Sequence, residues 1–163
     1  MPGTPDPALG SEALTVAIAC GAGAFAAAMP FAVRERLPAP WAFAVGGGLA
    51  YAAVSLGVWA GARFVTDLFP TATARVWLLV GGATAVVLVG HAAIPYYAYA
   101  RWGLVAPLAG LFGATALVWY LFLRVGGESD PLAIYPFFGA AVVAGLCVLA
   151  LVEAGVRRLI VAG

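Results

Sequence analysis

The residues best suited to chemistry are concentrated between positions 90 and 102, in the stretch GHAAIPYYAYARW. This stretch contains the only histidine of the chain, together with three tyrosines, an arginine and a tryptophan. An imidazole group can take up or release a proton near neutral pH, and it can also ligate a metal. The candidate ligand-binding or pore residues are therefore His91, Tyr96, Tyr97 and Arg101.

Three interpretations of His91 remain open from the sequence. The imidazole can be neutral and hydrogen-bonded to a tyrosine or a backbone carbonyl, it can respond to pH or contact a substrate, or it can ligate haem iron or another metal. A single histidine excludes haem held by two histidines of this chain, but Met29 is a candidate second ligand because His/Met pairs occur in cytochromes. We expect no cofactor and no metal, with haem on His91 and Met29 as the alternative.

The familiar catalytic motifs are missing from the sequence. None of the three serines lies in a GxSxG motif, and neither HExxH nor CxxC occurs. The chain also has no lysine, which removes Schiff-base and P-loop chemistry. Cys20 and Cys147 lie in separate apolar runs, where cysteine commonly acts as a small apolar residue. The sequence therefore favours a protein that is not an enzyme.

The composition indicates that the elements carrying these residues lie in lipid. Hydrophobic residues make up 64% of the chain, charged residues 9%, and the mean hydropathy is +1.04. In a typical soluble domain, about a quarter of the residues are charged. Five uncharged runs are each long enough to cross about 30 Å of hydrocarbon as a helix. The predicted fold class is an all-α integral membrane protein, a bundle of five transmembrane helices with short loops.

The domain organisation is predicted to be a single bundle over residues 11–156. The expected helices cover about 13–33, 41–62, 75–94, 102–123 and 132–152. A flexible tail is predicted over 1–10, which is rich in proline and glycine, and a short cytoplasmic tail over 157–163. Pro95 lacks an amide hydrogen and is predicted to end the third helix. The tyrosines and Trp102 would then form an interfacial turn at headgroup depth.

The arginines predict the orientation in the cell membrane. One side holds five of them, which are Arg34, Arg36, Arg101, Arg157 and Arg158. The other side holds Arg63, Arg75 and Arg124. The positive-inside rule then places the N-terminus outside and the C-terminus in the cytoplasm. Glu153 and Arg157, four residues apart, are predicted to form an interfacial ion pair. A net charge of +1 without an extended basic face argues against nucleic-acid binding.

Small residues recur at four-residue spacing, a pattern that lets helix backbones approach closely in lipid. The candidate helix-packing residues are Ala53, Gly57, Gly61, Ala106, Gly110, Ala114, Ala141 and Gly145. Contacts within the chain are the favoured role, and oligomerisation is the alternative. Leucine in place of Gly57 or Gly110 is predicted to cost about 1–3 kcal/mol by overpacking.

Three functional hypotheses follow from the sequence. The favoured one is an accessory or assembly subunit of a membrane complex, because the predicted helices carry packing rows but no mid-membrane charge. A small oligomeric transporter or channel is the second, since prolines within the apolar runs can free backbone carbonyls for a site. The third is a haem- or quinone-binding electron-transfer subunit that uses His91. The expected partners are the lipid bilayer and either further copies of the chain or other membrane subunits.

Overall fold

The computed structural model describes residues 5–33, 39–69, 73–127 and 130–162. Within these ranges the chain forms five α-helices and one pair of two-residue strands. The elements in chain order are β1 (Asp6–Pro7), α1 (Glu12–Ala32), α2 (Pro40–Thr66), α3 (Ala74–Trp102), α4 (Ala106–Phe122), β2 (Arg124–Val125) and α5 (Pro131–Ala162). The prediction of an all-α bundle is confirmed.

Four of the five helices, α1, α2, α3 and α5, are long and apolar enough to cross a membrane. Helix α4 is also apolar but has only 17 residues. At about 1.5 Å per residue it is about 25 Å long, which is less than the hydrocarbon width of about 30 Å. The five-span prediction is therefore supported in length and composition for four helices.

The helix starts have clear local causes. The Ser11 side chain accepts a hydrogen bond from the Leu14 amide, and Glu12 lies in the first turn of α1. Thr73 caps α3 in the same way, whereas α2 and α5 begin directly with Pro40 and Pro131. The predicted starts at 13, 41, 75 and 132 each lie one residue after the observed start.

The end of α3 corrects the predicted boundary. The helix continues through Pro95 as far as Trp102, and the turn to α4 consists of Gly103–Val105. Gly103 has a φ of 67°, and its amide donates to the carbonyl of Tyr99 at 2.8 Å, which is a glycine-type helix end. A proline inside an apolar helix is tolerated where its neighbours satisfy the freed backbone groups. The expected interfacial turn at 94–102 is thus the last part of a helix.

Both predicted tails also differ from the structure over the described residues. Strand β1 pairs antiparallel with β2, with Asp6 opposite Val125, and the Ala8 amide donates to the Leu123 carbonyl at 2.8 Å. The Arg124 guanidinium adds two hydrogen bonds to the Pro5 carbonyl. At the other end, α5 continues as a helix to Ala162 where a tail was expected from 157.

Helix α3 lies at the centre of the bundle. It packs on α2 and α5, while α1 packs mainly on α4. Its side chains also donate hydrogen bonds to two backbone carbonyls that prolines leave without a helix donor in α1 and α5. Pro30 leaves the Ala26 carbonyl of α1 without its helix donor, and the Tyr96 hydroxyl donates to that oxygen at 2.9 Å. Pro136 does the same to Leu132 of α5, and the Thr84 hydroxyl donates there at 3.4 Å.

The closest helix contacts occur at glycines that were not predicted to be packing residues. A Cβ atom added to Gly23 would lie 2.6 Å from the backbone oxygen of Phe112, and one on Gly48 would lie 2.8 Å from that of Val89. These two glycines allow the α1–α4 and α2–α3 backbones to approach closely. Any larger side chain at Gly23 or Gly48 would therefore collide with the backbone of the neighbouring helix.

The predicted packing residues divide into two groups. Gly110 lies against α5, where an added Cβ would be 2.7 Å from Leu146 and Leu149, and Ala114 is buried. Ala106 is half-buried, and Ala53 and Ala141 are exposed. Gly57, Gly61 and Gly145 have no neighbouring atom within 4 Å of an added Cβ. The overpacking cost predicted for leucine at Gly57 does not apply within the chain, because this position faces outward.

Candidate ligand cavity between two helices

His91 lies near the middle of α3 and is completely buried. Its Nε2 is 3.2 Å from the Gly139 carbonyl oxygen, and its Nδ1 is 3.0 Å from the Tyr135 hydroxyl. Since a carbonyl oxygen can only accept, Nε2 carries the hydrogen and Nδ1 accepts from Tyr135. Both ring nitrogens are thus engaged with α5. The tyrosine partner lies on another helix and not in the adjacent YYAY segment.

Substitution of His91 should separate hydrogen bonding from size. His91→Gln is expected to cost about 1 kcal/mol, because an amide can still donate to Gly139 and accept from Tyr135. His91→Leu is expected to cost about 2–3 kcal/mol, because it leaves the buried Tyr135 hydroxyl without a partner. Thermal and chemical unfolding in detergent would measure both values. Equal stabilities of the two variants would show that these hydrogen bonds do not contribute.

The other predicted ligand residues point in different directions. Tyr96 is buried and donates to α1, whereas Tyr97 and Arg101 lie on the outer face of α3. Tyr97 packs edge-on against Trp102, with ring centroids 5.4 Å apart. Arg101 therefore does not share a site with His91. Of the aromatic cluster, only Tyr97 and Trp102 have the exposure of interfacial anchors.

A cavity of about 530 Å³ lies between α1 and α2. These helices follow each other in the chain but pack on different partners, α4 and α3 respectively, so a gap remains between them. The walls are apolar, and the exposed side chains of Phe25 and Val54 stand at its edge. The volume falls within the range of about 300–1,000 Å³ that is typical of small-molecule sites.

Two hydrogen-bonded pairs, made of three hydroxyls and one indole, form the floor of this cavity. The Tyr51 hydroxyl donates to the Thr115 hydroxyl at 3.1 Å, and the Trp119 indole donates to the Ser55 hydroxyl at 3.3 Å. All four side chains line the cavity, together with Tyr96. A hydroxyl that accepts one hydrogen bond can still donate one. The floor therefore places a few uncharged polar groups under apolar walls, with Ser55 and Thr115 almost wholly buried.

His91 lies behind this floor and does not line the cavity. Its ring is 6.5 Å from that of Tyr51, between centroids. Met29 lines the cavity, whereas His91 is buried in the core. The two residues suggested as haem ligands therefore do not face a common space. Within the described residues there is no group of three or more His, Cys, Asp or Glu side chains that could hold a metal. Cys20 is exposed and Cys147 is half-buried.

A buried ion pair at one end of the bundle escaped the sequence analysis. Arg63 is only 1% exposed, and its Nε donates to Asp130 at 2.9 Å. Its Nη1 donates to the Phe122 carbonyl at 2.6 Å, and its guanidinium lies 4.9 Å from the centroid of the Trp59 ring. The Trp59 indole donates to the other carboxylate oxygen at 2.9 Å. Since the two charged residues are 67 positions apart, no local sequence pattern predicts the Arg63–Asp130 pair.

A second ion pair lies at the opposite end of the bundle. Glu153 accepts hydrogen bonds from the Val105 and Ala106 amides at 2.8 and 2.6 Å, at the start of α4. Arg157 donates to Glu153 at 2.6 Å and to the Gly103 carbonyl at 2.9 Å, at the end of α3. Besides forming an ion pair with each other, Glu153 binds free amides at the start of α4 and Arg157 binds a free carbonyl at the end of α3.

Comparisons with known proteins do not identify the chain. No protein-family model, no curated protein and no solved structure matches it. The function must therefore be inferred from the geometry of the molecule.

Proposed function

We propose that this protein is a multi-pass membrane protein that binds a lipid-like molecule in the cavity between α1 and α2. The observation that carries the proposal is the cavity of about 530 Å³ with apolar walls and a hydroxyl floor. A large apolar cavity with a few convergent polar groups is the usual form of a small-molecule site. The N-terminus is outside, the C-terminus is cytoplasmic, and all five helices lie in the bilayer.

The outer surface of the bundle supports lipid as its solvent. Large apolar side chains point outward on α1, α2, α3 and α5, and among them Phe137 is 84% exposed and Leu78 77% exposed. A soluble monomer rarely exposes apolar patches of this extent. Helix α4, with only 17 residues, packs between α1 and α5, and a span shorter than the hydrocarbon width is accommodated by local thinning of the bilayer.

The lining residues define the chemistry of the ligand. None of the residues lining this cavity is charged, and burying an unpaired charge there would be costly. An uncharged ligand with a long apolar body and one or two carbonyl or hydroxyl groups fits best. Its polar group would approach Tyr51 at the base of the cavity, and its apolar body would extend between α1 and α2 towards lipid. An isoprenoid quinone has this chemistry.

Filling the cavity tests this proposal. Ala50 lines the cavity, whereas Ala53, one turn away on α2, does not. The dissociation constant of a benzoquinone with a decyl chain can be measured from quenching of tryptophan fluorescence, because Trp119 lines the cavity. Ala50→Phe is expected to raise this constant at least tenfold, and Ala53→Phe is expected to leave it unchanged. Equal affinities in both variants and wild type would overturn the proposal.

A second candidate function is supported by a different surface. Ala53, Gly57 and Gly61 form a row on α2 that faces outward, with open space at both glycines. A row of this kind allows close contact with a helix of another subunit, as an accessory or assembly protein requires. Gly57→Leu would then abolish co-purification of partner subunits while the isolated chain remained fully stable. Retained partners would exclude this row as the contact.

A further inference from the structure

A second hollow, which we call the inner groove, lies where α2, α3 and α5 meet. Its volume is about 440 Å³, and Trp41, Tyr97, Trp102, Cys147 and Leu151 contribute to its lining. These residues come from the start of α2 and from the later parts of α3 and α5. The inner groove is therefore at the end of the bundle that holds the Glu153–Arg157 pair. It is separate from the cavity between α1 and α2.

Two arginines continue the faces that line the inner groove. Arg101 follows Tyr97 by four positions on α3, and Arg158 follows Leu151 by seven on α5. Residues at these spacings share one face of a helix. Both arginines are exposed, and among the described residues neither forms an ion pair, in contrast to the neighbouring Arg157. An apolar groove with aromatic walls thus ends beside two cationic side chains.

We propose that the inner groove binds an anionic phospholipid, with one acyl chain in the groove and the phosphate held by Arg101 and Arg158. The proposal rests on the proposed membrane location, with this end of the bundle in the cytoplasmic leaflet. Guanidinium groups bind phosphate oxygens through paired, charge-assisted hydrogen bonds. Tryptophan and tyrosine occupy headgroup depth, and basic pockets between helices on the cytoplasmic side bind anionic headgroups.

Charge selects this occupant over a second copy of the chain. A symmetric dimer through the inner groove would place the arginines of both copies in one interface, and these like charges repel. A zwitterionic phospholipid carries its own cation beside the phosphate, which weakens its attraction to the arginines. An anionic lipid offers the groove an apolar chain and offers the arginines an uncompensated negative charge.

Lipid titration of the purified protein in detergent tests this site. The probes are phosphatidylglycerol, phosphatidylcholine with identical acyl chains, and inorganic phosphate, with bound lipid measured by native mass spectrometry. Wild type should bind phosphatidylglycerol at least tenfold more tightly than phosphatidylcholine, and inorganic phosphate should not displace it at equal concentration. The Arg101→Gln/Arg158→Gln variant should lose this preference. Arg75→Gln, at an exposed arginine at the start of α3, should retain it.

The outcomes separate this site from the quinone cavity. The double variant should still bind the decyl benzoquinone, since neither arginine lines the cavity between α1 and α2. Should the double variant fail to fold, Arg158→Gln alone replaces it, because this exposed residue lies near the end of α5. Undiminished preference for phosphatidylglycerol in the folded variant would overturn the proposal. Equal binding of the two phospholipids by wild type would also overturn it, whatever the result with quinone.

Discussion

Asp130→Asn is expected to lower the free energy of unfolding by about 3 kcal/mol. Asparagine can still accept from the Leu132 amide and cap α5, and it can still accept from Trp59. What it removes is the negative charge beside Arg63, which is 1% exposed. Breaking a buried pair leaves an uncompensated buried charge, and this costs more than the pair itself contributes.

Two further variants make this expectation specific. Asp67→Asn changes an exposed carboxylate just beyond the end of α2, the helix that carries Arg63. Its free energy of unfolding should stay within about 0.5 kcal/mol of wild type. Combining Asp130→Asn with Arg63→Met removes both charges and should restore part of the lost stability. Unfolding in detergent would be followed by near-ultraviolet circular dichroism. If Asp130→Asn and Asp67→Asn behaved alike, the buried pair would have no energetic role.

Gly23→Leu is expected to destabilise the bundle by about 3 kcal/mol, at the upper end of the usual cost of overpacking. The first added carbon would already lie 2.6 Å from the backbone oxygen of Phe112. A backbone atom cannot rotate away as a side chain can, so α1 would have to move off α4. Helix propensity favours leucine over glycine by about 0.8 kcal/mol, and the expected loss is net of this gain.

The matched control for Gly23 is Gly57. Both lie inside long apolar helices, but an added Cβ at Gly57 meets no atom within 4 Å. Gly57→Leu should therefore leave the isolated chain as stable as wild type, or more stable by up to about 1 kcal/mol. The difference between the two melting temperatures is the measurement. A similar loss in both variants would mean that the helices pack with faces other than those described.

The positions of the helices were predictable because charges and prolines mark their starts. Which side of each helix faces its neighbours was not, because these helices are apolar on all sides and lack the polar face that orients a soluble helix. Gly48 and Gly57 both lie in the same helix, and only the tertiary contact distinguishes the close-packed glycine from the outward one. The end of α3 was missed because Pro95 is accommodated within the helix.

The candidate site was less predictable than the fold. A hydrogen-bonded His91 is predictable from its position in an apolar helix, but its partners Tyr135 and Gly139 come from another helix. The cavity between α1 and α2 depends on α1 packing against α4, a long-range choice that no short segment encodes. Arg63 stands at the edge of an uncharged run, and the sequence indicates only the side on which it lies, because its partner Asp130 is distant in sequence.

The order of synthesis gives the Arg63–Asp130 and Glu153–Arg157 pairs a further consequence. Helix α5 leaves the ribosome after the other four helices, and Asp130, Glu153 and Arg157 all belong to it or immediately precede it. Until α5 has packed against them, Arg63 lacks Asp130 as its counter-charge, and the backbone groups at the α3–α4 turn have no side-chain partners from α5. The partly made bundle therefore has an unpaired charge at one end and an open turn at the other, and both are closed by the last helix to be synthesised.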